Sequence, residues 1–461
     1  MAIPSLIPRD ITIFSLLECF LSPLSISVSR DSCDGATVGP APLPCHVRGR
    51  KAGPAAGADG RTQIVRWDGP DRSPHLSTNQ LSGSKQGGRN SVEIEKAMEV
   101  STAMWTAVAV GAVAVYWFVW VMGAAEVKGK RAVNLTMGSI TRDKVQDKYK
   151  QYWSFFRRPK EDIVAASDND NVPAFVDTFY NLVTDIYEWG WGQSFHFSPS
   201  IPGSSHRDAT RLHEERAADL IAARPGRHIL DVGCGIGGPM RAIAAHSGAH
   251  VVGITINEYQ VARARAHNRK AGLHERCEVV CGNFLEMPFD DASFDGAYSI
   301  EATCHAPRLE DVYREVFRVL KPGALYVSYE WVTTALYQAD NPAHVETIRG
   351  IERGDALPGL RAHHEIAEVA RQVGFEVVEE RDQALPPAEP WWTRLKMGRI
   401  AYWRNHLVVS VLAALRIAPK GVVDVHEMLC ETARHLSDGG ETGIFTPMHI
   451  ILCRKPLVPA S

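Results

Sequence analysis

From about residue 225 onward, short apolar stretches alternate with amphipathic ones. Helical patterns such as 309–320, closed by the turn Lys321-Pro322-Gly323, separate β-branched stretches of strand length. The predicted strands are 228–233, 250–255, 277–283, 294–300 and 324–331, with two later ones at 375–382 and 448–454. Such alternation predicts an α/β fold with a doubly wound sheet.

The N-terminal segment, residues 1–97, has a different pattern, rich in Gly, Pro, Ser and Arg without sustained periodicity. A chain of this composition buries too little apolar surface to fold, so we expect it to be disordered. A start of translation at Met98 is the alternative, in which case the segment is not made.

Residues 104–125 form an uncharged apolar run of 22 residues, long enough to cross a hydrocarbon core of about 30 Å as a helix. A buried core helix is the competing interpretation, but the run has no polar stripe. Basic residues follow the run more densely than they precede it: Lys128, Lys130, Arg131, Arg142 and Lys144. The positive-inside rule therefore predicts a single span with the C-terminal bulk in the cytosol.

These patterns divide the chain into five regions. The predicted regions are a low-complexity segment at 1–97, a transmembrane anchor at 98–130, a helical and aromatic region at 131–224, an α/β core at 225–384 and a C-terminal region at 385–461. The last contains a tryptophan-rich apolar stretch that is too short to span a bilayer. We expect it to cap a lipid pocket or to graze a membrane surface.

Charge and cysteine content exclude several classes of protein. A net charge of −3 and a pI near 6.7 argue against a nucleic-acid partner. The nine cysteines are scattered, as in a reducing compartment. Cys277 and Cys281 have no second pair or histidine at zinc spacing, so we predict no metal site.

The stretch "LDVGCGIGG" runs from a strand into a helix, and Gly233, Gly235 and Gly238 match the dinucleotide-binding pattern G-x-G-x-x-G. However, no acid closes the second strand, whereas Asp231 lies two residues before the first glycine. A carboxylate there suits the ammonium or hydroxyl groups of an amino-acid cofactor tail. An NAD-linked reductase remains as an alternative.

The motifs "LDVGCGIGG" and "VLKPGALYVSYE" resemble those of class I S-adenosylmethionine-dependent methyltransferases, which have a Rossmann-like fold. With "YEWGWGQSFHF" (187–197), "IEATCHAP" (300–307) and "YEWVTT" (329–334), the chain from about residue 140 is similar to sterol C-24 methyltransferases. First-step enzymes typically have Tyr at the position of Trp189. In having Trp there, the chain resembles the enzymes of the second methylation, which act on 24-methylene sterols such as 24-methylenelophenol. With the single span at 104–125, we expect the protein to reside on the endoplasmic reticulum.

The resemblance implies S-adenosylmethionine as methyl donor, with its methionine part at Asp231, Gly233, Gly235 and Gly237. The ribose is expected near Thr255, Ile256 and Gln260. Asn283 replaces an Asp that contacts adenine in many relatives, and its carbonyl can still accept from the adenine amino group.

Methylation of a side-chain alkene needs no nucleophilic residue, but it leaves a carbocation that a dry pocket must protect and deprotonate. The aromatic stretch 187–197 is predicted to be a loop. Because aromatic faces stabilise cations, we predict that this stretch forms the sterol site. The catalytic candidates are Tyr187, Glu188, His196, Glu301, His305 and Glu330, and the substrate-binding candidates are Trp189, Trp191, Phe195 and Phe197.

Two further interpretations stay open at this point. The substrate could instead be a Δ24 sterol such as cycloartenol, methylated in the first step. Alternatively, the chain could be a membrane-tethered lipid-binding protein without catalysis. The sequence leaves the choice of sterol nucleus, the proton acceptor and a homo-oligomeric state open.

Overall fold

The structure is a computed structural model that describes residues 98, 100–109, 111–112, 137–157, 171–386, 388–396 and 398–457, apart from the side chains of Asn171 and Trp189. The chain divides into two units, Met1–Met122 and Gly123–Ser461. In the first unit the described residues between 98 and 112 are helical and exposed. Most of the span predicted at 104–125 lies outside the described residues. Within them, no helix has both the length and the apolar character needed to cross a membrane.

The second unit contains one eight-stranded sheet. The strands are β1 (His228–Val232), β2 (His250–Thr255), β3 (Cys277–Cys281), β4 (Phe294–Ile300), β5 (Leu320–Thr333), β6 (Arg361–Ala362), β7 (Glu376–Asp382) and β8 (Phe445–Arg454). Their order is β3-β2-β1-β4-β5-β8-β7, and β6 pairs with β5. The first five strands run parallel, whereas β8 is antiparallel to both β5 and β7.

Helices connect the strands and cover both faces of the sheet. They are α1 (Val145–Phe155), α2 (Asn171–Gly190), α3 (His206–Leu220), α4 (Gly238–Ser247), α5 (Glu258–Lys270), α6 (Leu309–Val319), α7 (Pro342–Gly354), α8 (His363–Val373), α9 (Arg399–Ala414) and α10 (Val422–Thr442). One apolar cluster packs α6 and α8 against the sheet, and a second packs α3, α4 and α5 against it. Because the parallel strands are covered on both faces, they are nearly continuously apolar.

The predicted strands at 250–255 and 294–300 are found with the same bounds, and the Rossmann-like fold class is confirmed. The predicted turn at Lys321-Pro322-Gly323 is wrong, because β5 already begins at Leu320, which pairs with Phe294. The register shifts before the next pair, Gly296 with Leu325, and Gly323 has a φ of +81°. The turn residues therefore form an irregularity inside the strand.

The aromatic stretch 187–197 is not wholly a loop. Its first residues continue α2, whose apolar face stays buried through Leu182 and Val183. The backbone N–H groups of Trp191 and Gly192 both donate to the Tyr187 carbonyl, and Gly192 has a φ of +116°. Glycine adopts this conformation without steric cost, so Gly192 completes the turn that follows the end of α2 at Gly190.

Candidate functional site

The loop between β1 and α4 leaves no room for a side chain at its first glycine, Gly233. Gly233 has a φ of +88°, and a Cβ on it would lie 2.2 Å from the Cβ of Ala302. Gly237 precedes α4 with a φ of +78°. The loop therefore packs directly on the residues that follow β4, and its backbone is exposed to the space at the carboxyl edge of the sheet.

A cavity with an atom-free volume of about 840 Å³, including its mouth, lies at this edge. Ligands bind at the carboxyl edge in open α/β sheets. Six of the eight predicted cofactor residues line it, namely Gly233, Gly235, Thr255, Ile256, Gln260 and Asn283. Phe284 and Leu285 add apolar wall beside Asn283, whose side-chain oxygen accepts from the Leu285 N–H at 3.0 Å.

Asp231 lies behind this wall. Its carboxyl group is buried and accepts a hydrogen bond from the Tyr298 hydroxyl at 2.8 Å. Burial raises the pKa of Asp231 to about 7, although the Tyr298 hydrogen bond opposes the shift. A cationic or hydrogen-bond-donating ligand at the glycine loop would favour the ionised carboxylate. Gly237, like Asp231, does not line the cavity.

The ribose candidates are held in place by one another and by α2. The Thr255 hydroxyl donates to Gln260 at 2.9 Å. Asn257 caps α5 by accepting from the Gln260 N–H and donates to Asp177 of α2 at 2.7 Å. Both Thr255 and Gln260 are buried and line the cavity, and the Gln260 amide also donates to Thr184 of α2 at 3.3 Å, so their side chains are held in a fixed arrangement.

The stretch 187–197 divides between the cavity and the core. Phe195 and His196 line the cavity. Trp191 and Phe197 instead form an aromatic cluster with the C-terminal region, in which the Phe197 and Trp391 ring centroids are 4.8 Å apart. Trp191 and Phe197 therefore pack as core side chains.

Tyr187 sits outside the cavity lining. Its hydroxyl points to Asp355 at 3.4 Å, and its ring packs edge-on against Phe195. The backbone of Trp189 lies in α2. Tyr187 therefore supports the wall from behind, through Phe195.

The middle of the stretch rests on the start of α4. A Cβ on Gly238 would lie 2.1 Å from the Gln193 carbonyl oxygen. The Gln193 side chain accepts from Arg241 of α4 at 2.9 Å. Because backbone meets backbone here, the loop cannot shift without moving the start of the helix.

Both ring nitrogens of His196 have partners within the protein. Its two ring nitrogens face the carbonyl of Phe197 at 2.7 Å and the carboxylate of Glu214 at 3.0 Å. Burial lowers the pKa of an imidazole, but Glu214 raises the pKa of His196 above its ordinary value. Both nitrogens therefore lie against oxygen atoms of the protein, and the ring is engaged by Phe197 and Glu214.

Glu301 lines the cavity in a strained conformation. It follows β4 with a φ of +54°, which non-glycine residues rarely adopt. Its carboxyl oxygen accepts from the Phe197 N–H at 2.8 Å and so ties the aromatic stretch to the sheet edge. Burial raises the pKa of Glu301 to about 8, against the opposing effects of His196 and the Phe197 N–H.

The other two acidic candidates face away from the cavity lining. Glu188 is held by Arg263 at 2.5 Å and His267 at 2.8 Å, both on α5. Glu330 accepts from three hydroxyl groups, those of Thr303, Ser328 and Tyr313. Their carboxylates are occupied in ion pairing and internal hydrogen bonding, so neither is positioned to face a ligand.

His305 lines the cavity together with Tyr180. Its Nδ1 lies 3.1 Å from the Ala356 carbonyl and its Nε2 lies 2.8 Å from the Tyr180 hydroxyl. Burial lowers the pKa of His305 to about 4 and raises the pKa of Tyr180. The neutral ring therefore donates from Nδ1, and its Nε2 accepts from Tyr180.

Sequence reasoning missed Tyr180 and the apolar residues of α2, because they look like the core face of an ordinary helix. Val172 and Val176 line the same cavity as Tyr180. The signal in the sequence was a polar hydroxyl on that apolar face, one turn from Val176. The cavity thus joins a glycine-loop wall to an apolar wall that carries one phenol.

The cavity fits S-adenosylmethionine. The glycine cradle admits the methionine backbone, the Thr255–Gln260 pair offers hydrogen bonds to a ribose, and Ile256, Phe284 and Leu285 form an apolar slot for a base. This sheet, with an antiparallel β8 beside β5 and a glycine loop after β1, defines a class I S-adenosylmethionine-dependent methyltransferase.

Comparison with known proteins places the chain within that class. The methyltransferase domain family matches residues 230–328, and the sterol methyltransferase C-terminal family matches residues 392–457. The chain is 79% identical over 360 residues to 24-methylenesterol C-methyltransferase 2 of Oryza sativa subsp. japonica, covering 78% of this chain and 99% of that protein. It is 74% identical to 24-methylenesterol C-methyltransferase 2 of Arabidopsis thaliana, over 76% of this chain and 95% of that protein.

Similarity to the Arabidopsis cycloartenol-C-24-methyltransferase is lower, at 40% identity over 67% of this chain and 94% of that protein. The chain belongs to the sterol C-methyltransferase family, in the group of plant 24-methylenesterol C-methyltransferases.

Proposed function

We propose that the chain transfers a methyl group from S-adenosylmethionine to C-28 of a 24-methylene sterol such as 24-methylenelophenol, giving a 24-ethylidene sterol. The observation that carries this proposal is the cavity that joins the glycine-loop wall to the apolar wall of α2. Methyl donor and alkene can meet in it without water between them.

S-adenosylmethionine supplies a methyl group that is already activated as a sulfonium. Gly233, Gly235, Thr255, Gln260 and Asn283 would hold it, with Asp231 acting from behind the loop. The sterol π electrons form the new carbon–carbon bond as the carbon–sulfur bond breaks, which leaves the positive charge at C-24.

The protein stabilises that charge with Phe195 and Glu301. A π face attracts a cation without attacking it. A cation in the cavity lowers the pKa of Glu301, so its negative charge is strongest while the cation exists. The Phe197 N–H holds the carboxyl group and limits its reach toward the carbocation.

Tyr180 and His305 provide the route for the proton. A C-28 proton leaves to the Tyr180 oxygen, its bonding electrons form the new alkene, and the Tyr180 proton moves to Nε2 of His305. A pKa of about 4 makes His305 a weak base, yet a carbocation is a far stronger acid than an imidazolium. The transfer is therefore downhill.

Two other substrates or roles compete with this proposal. First methylation of a Δ24 sterol would use the same chemistry, but identity favours the second step, at 79% against 40%. A lipid-binding protein without catalysis would not need the Tyr180–His305 hydrogen bond.

The membrane parts of the proposal rest on the sequence. We place a single span at 104–125, residues 126–461 on the cytosolic side of the endoplasmic reticulum, and the C-terminal region at 385–461 beside the sterol site. The packing of Trp391 on Phe197 supports the last point. A homo-oligomer is compatible with all of this.

The test is turnover of a methyl-labelled donor with a 24-methylene sterol and with cycloartenol, side by side in the same membranes. We expect label in a 24-ethylidene product and much slower conversion of cycloartenol. Faster conversion of cycloartenol would assign the first step, and absence of label from both sterols would overturn the enzymatic proposal.

A further inference from the structure

Helix α9 presents an apolar surface to solvent. Every residue of it is at least partly exposed, including Ile400 at 88%, Trp403 at 62% and Leu407 at 64%. Val408, Val411 and Leu415 are exposed as well. Spacings of three and four residues put these side chains on one face, which we call the α9 face. Contiguous exposed apolar surface marks an interaction site.

The opposite side of α9 packs on α10. Tyr402 stacks on His406 and on His426, and His406 lies 3.7 Å from Glu427. These contacts fix the rotation of the helix about its axis. The α9 face is therefore held outward by the fold.

The charges along the chain segment that contains α9 have one sign, and the nearby carboxylates belong to α10. Residues 390–423 contain no Asp or Glu but six Lys and Arg residues, in a chain of net charge −3: Arg394, Lys396, Arg399, Arg404, Arg416 and Lys420. Lys396 pairs with Glu441. Exposed Arg399 begins the helix, and exposed Arg416 and Lys420 follow its end. Arg404, four residues from Ile400 and three from Leu407, lies on the α9 face and is partly buried. An apolar face that carries one arginine near its middle and basic residues at both ends is complementary to an anionic lipid surface.

We propose that the α9 face docks in the plane of an anionic bilayer, with Trp403 and Leu407 in the interface and the basic ends on headgroups. The helix has 16 residues, roughly 24 Å, too short to span. The Trp391–Leu395 turn precedes it, and Trp391 packs on Phe197. A docked α9 thus holds the aromatic stretch near the lipid from which a sterol arrives. The proposal is independent of the span predicted at 104–125.

A second copy of this chain is a poorer occupant. Pairing two α9 helices in antiparallel orientation would set Arg399 of one copy beside Arg416 of the other, and residues 390–423 provide no carboxylate to neutralise them. Like charges at an interface oppose association. A lipid headgroup supplies the missing negative charge.

The experiment places a benzophenone amino acid at position 407 of the full chain in vesicles of phosphatidylcholine and phosphatidylserine that carry radiolabelled lipid. The matched control position is Val378 on β7, which is also apolar and exposed, at 47%. We expect lipid adducts from position 407 and few from 378. Equal labelling of both positions, or protein–protein adducts from 407 that increase with protein concentration, would overturn the proposal.

The basic ends are tested separately with the triple variant Arg399→Glu, Arg416→Glu, Lys420→Glu. Its lipid adducts from position 407 should fall on the order of tenfold or more, because each cation near an anionic surface contributes to binding. Unchanged labelling would contradict the proposal. Turnover of detergent-solubilised sterol, measured in parallel, reports on the proposed catalysis and should be retained, so failure of docking and failure of catalysis are distinguishable.

Discussion

Tyr180 and His305 share one hydrogen bond at the cavity wall, and the orientation of that bond determines which of them meets the substrate. The Nδ1 of His305 is committed to the Ala356 carbonyl, so Nε2 can only accept, and its lone pair is already taken by the Tyr180 hydroxyl at 2.8 Å. The phenol oxygen is therefore the atom that a departing proton meets first.

Tyr180→Phe should lower kcat by about 10²- to 10⁴-fold, because the general base is cut off from the substrate. Affinity for S-adenosylmethionine, measured by calorimetry, should not change. Products should shift toward alcohols or isomeric alkenes, which chromatography detects. Tyr187→Phe is the matched control, since Tyr187 is also packed among aromatic rings but lies outside the cavity lining, and its turnover should be close to that of the parent. Equal losses in both variants would refute the proton route.

Asp231→Ala should weaken S-adenosylmethionine binding. A charge-assisted hydrogen bond of about 1.5–3 kcal/mol corresponds to roughly ten- to a hundredfold in Kd. Tyr298→Phe is the control for packing, because it keeps the carboxyl group and removes only its internal partner. Calorimetry that finds the Kd of Asp231→Ala unchanged would remove Asp231 from the cofactor site.

Glu301 predicts a pH dependence of stability. Its pKa is about 8 in the folded protein against an ordinary value of 4.5, so its stabilisation is complete below 4.5 and is lost as pH rises through 8. Between pH 6.5 and 8, where His305 with its pKa of about 4 is neutral, Tm should therefore fall. Glu301→Gln keeps the acceptor for Phe197 and should make this fall smaller, while Asp231, with its pKa of about 7, still contributes to it. Parallel curves for parent and variant would show that Glu301 does not titrate there.

At this scale the glycine-loop candidates Gly233 and Gly235 line the cavity, whereas only half of the six catalytic candidates do, namely His196, Glu301 and His305. Gly233 and Gly235 are predictable because backbone conformation restricts them to glycine. Glu188 and Glu330 look like equally good candidates, but their partners, Arg263 and Tyr313, lie 75 and 17 residues away in the chain. Long-range contacts of this kind leave no trace in a local motif.

Among the elements, the contact between α4 and the aromatic stretch controls the shape of the cavity. It was hidden from the sequence because Gly238 is an ordinary first residue of a helix, with no conformation that demands glycine. The close approach of the Gln193 backbone explains why position 238 is a glycine. By contrast, the strands at 250–255 and 294–300 were predictable from their apolar runs alone.

Gly238→Ala should destabilise the protein by about 1–3 kcal/mol, since its Cβ would overlap the Gln193 backbone. Denaturant unfolding measures this loss of stability. Turnover should also fall, because the displaced Gln193 backbone leads directly to Phe195 and His196, which line the cavity. Gly190→Ala is the matched control at the end of α2, where a Cβ meets nothing within 4 Å. Its effect should stay within about 1 kcal/mol. Equal effects of the two variants would mean that the loop yields to the added methyl group.

For the whole molecule, the N-terminal regions and the folded unit should be separable. A variant that begins at Met98 should retain turnover and membrane association, because residues 1–97 lack the composition of a folded region. Protease added to sealed microsomes should digest the C-terminal unit. Protection of that unit would contradict the cytosolic orientation, and loss of turnover would assign residues 1–97 a role.

The packing of Phe197 against Trp391 limits how substrate preference can be exchanged between relatives. A chimera whose donor stretch at 187–197 carries a different side chain at position 197 would set that side chain against Trp331, Trp391 and Phe445, with which Phe197 is packed here. With such a donor, grafting the stretch alone should yield a mispacked protein and not one with switched preference. Residues 187–197 and the segment that contains Trp391 lie about 200 residues apart in the chain but pack against each other. An exchange of substrate preference should therefore replace both segments together.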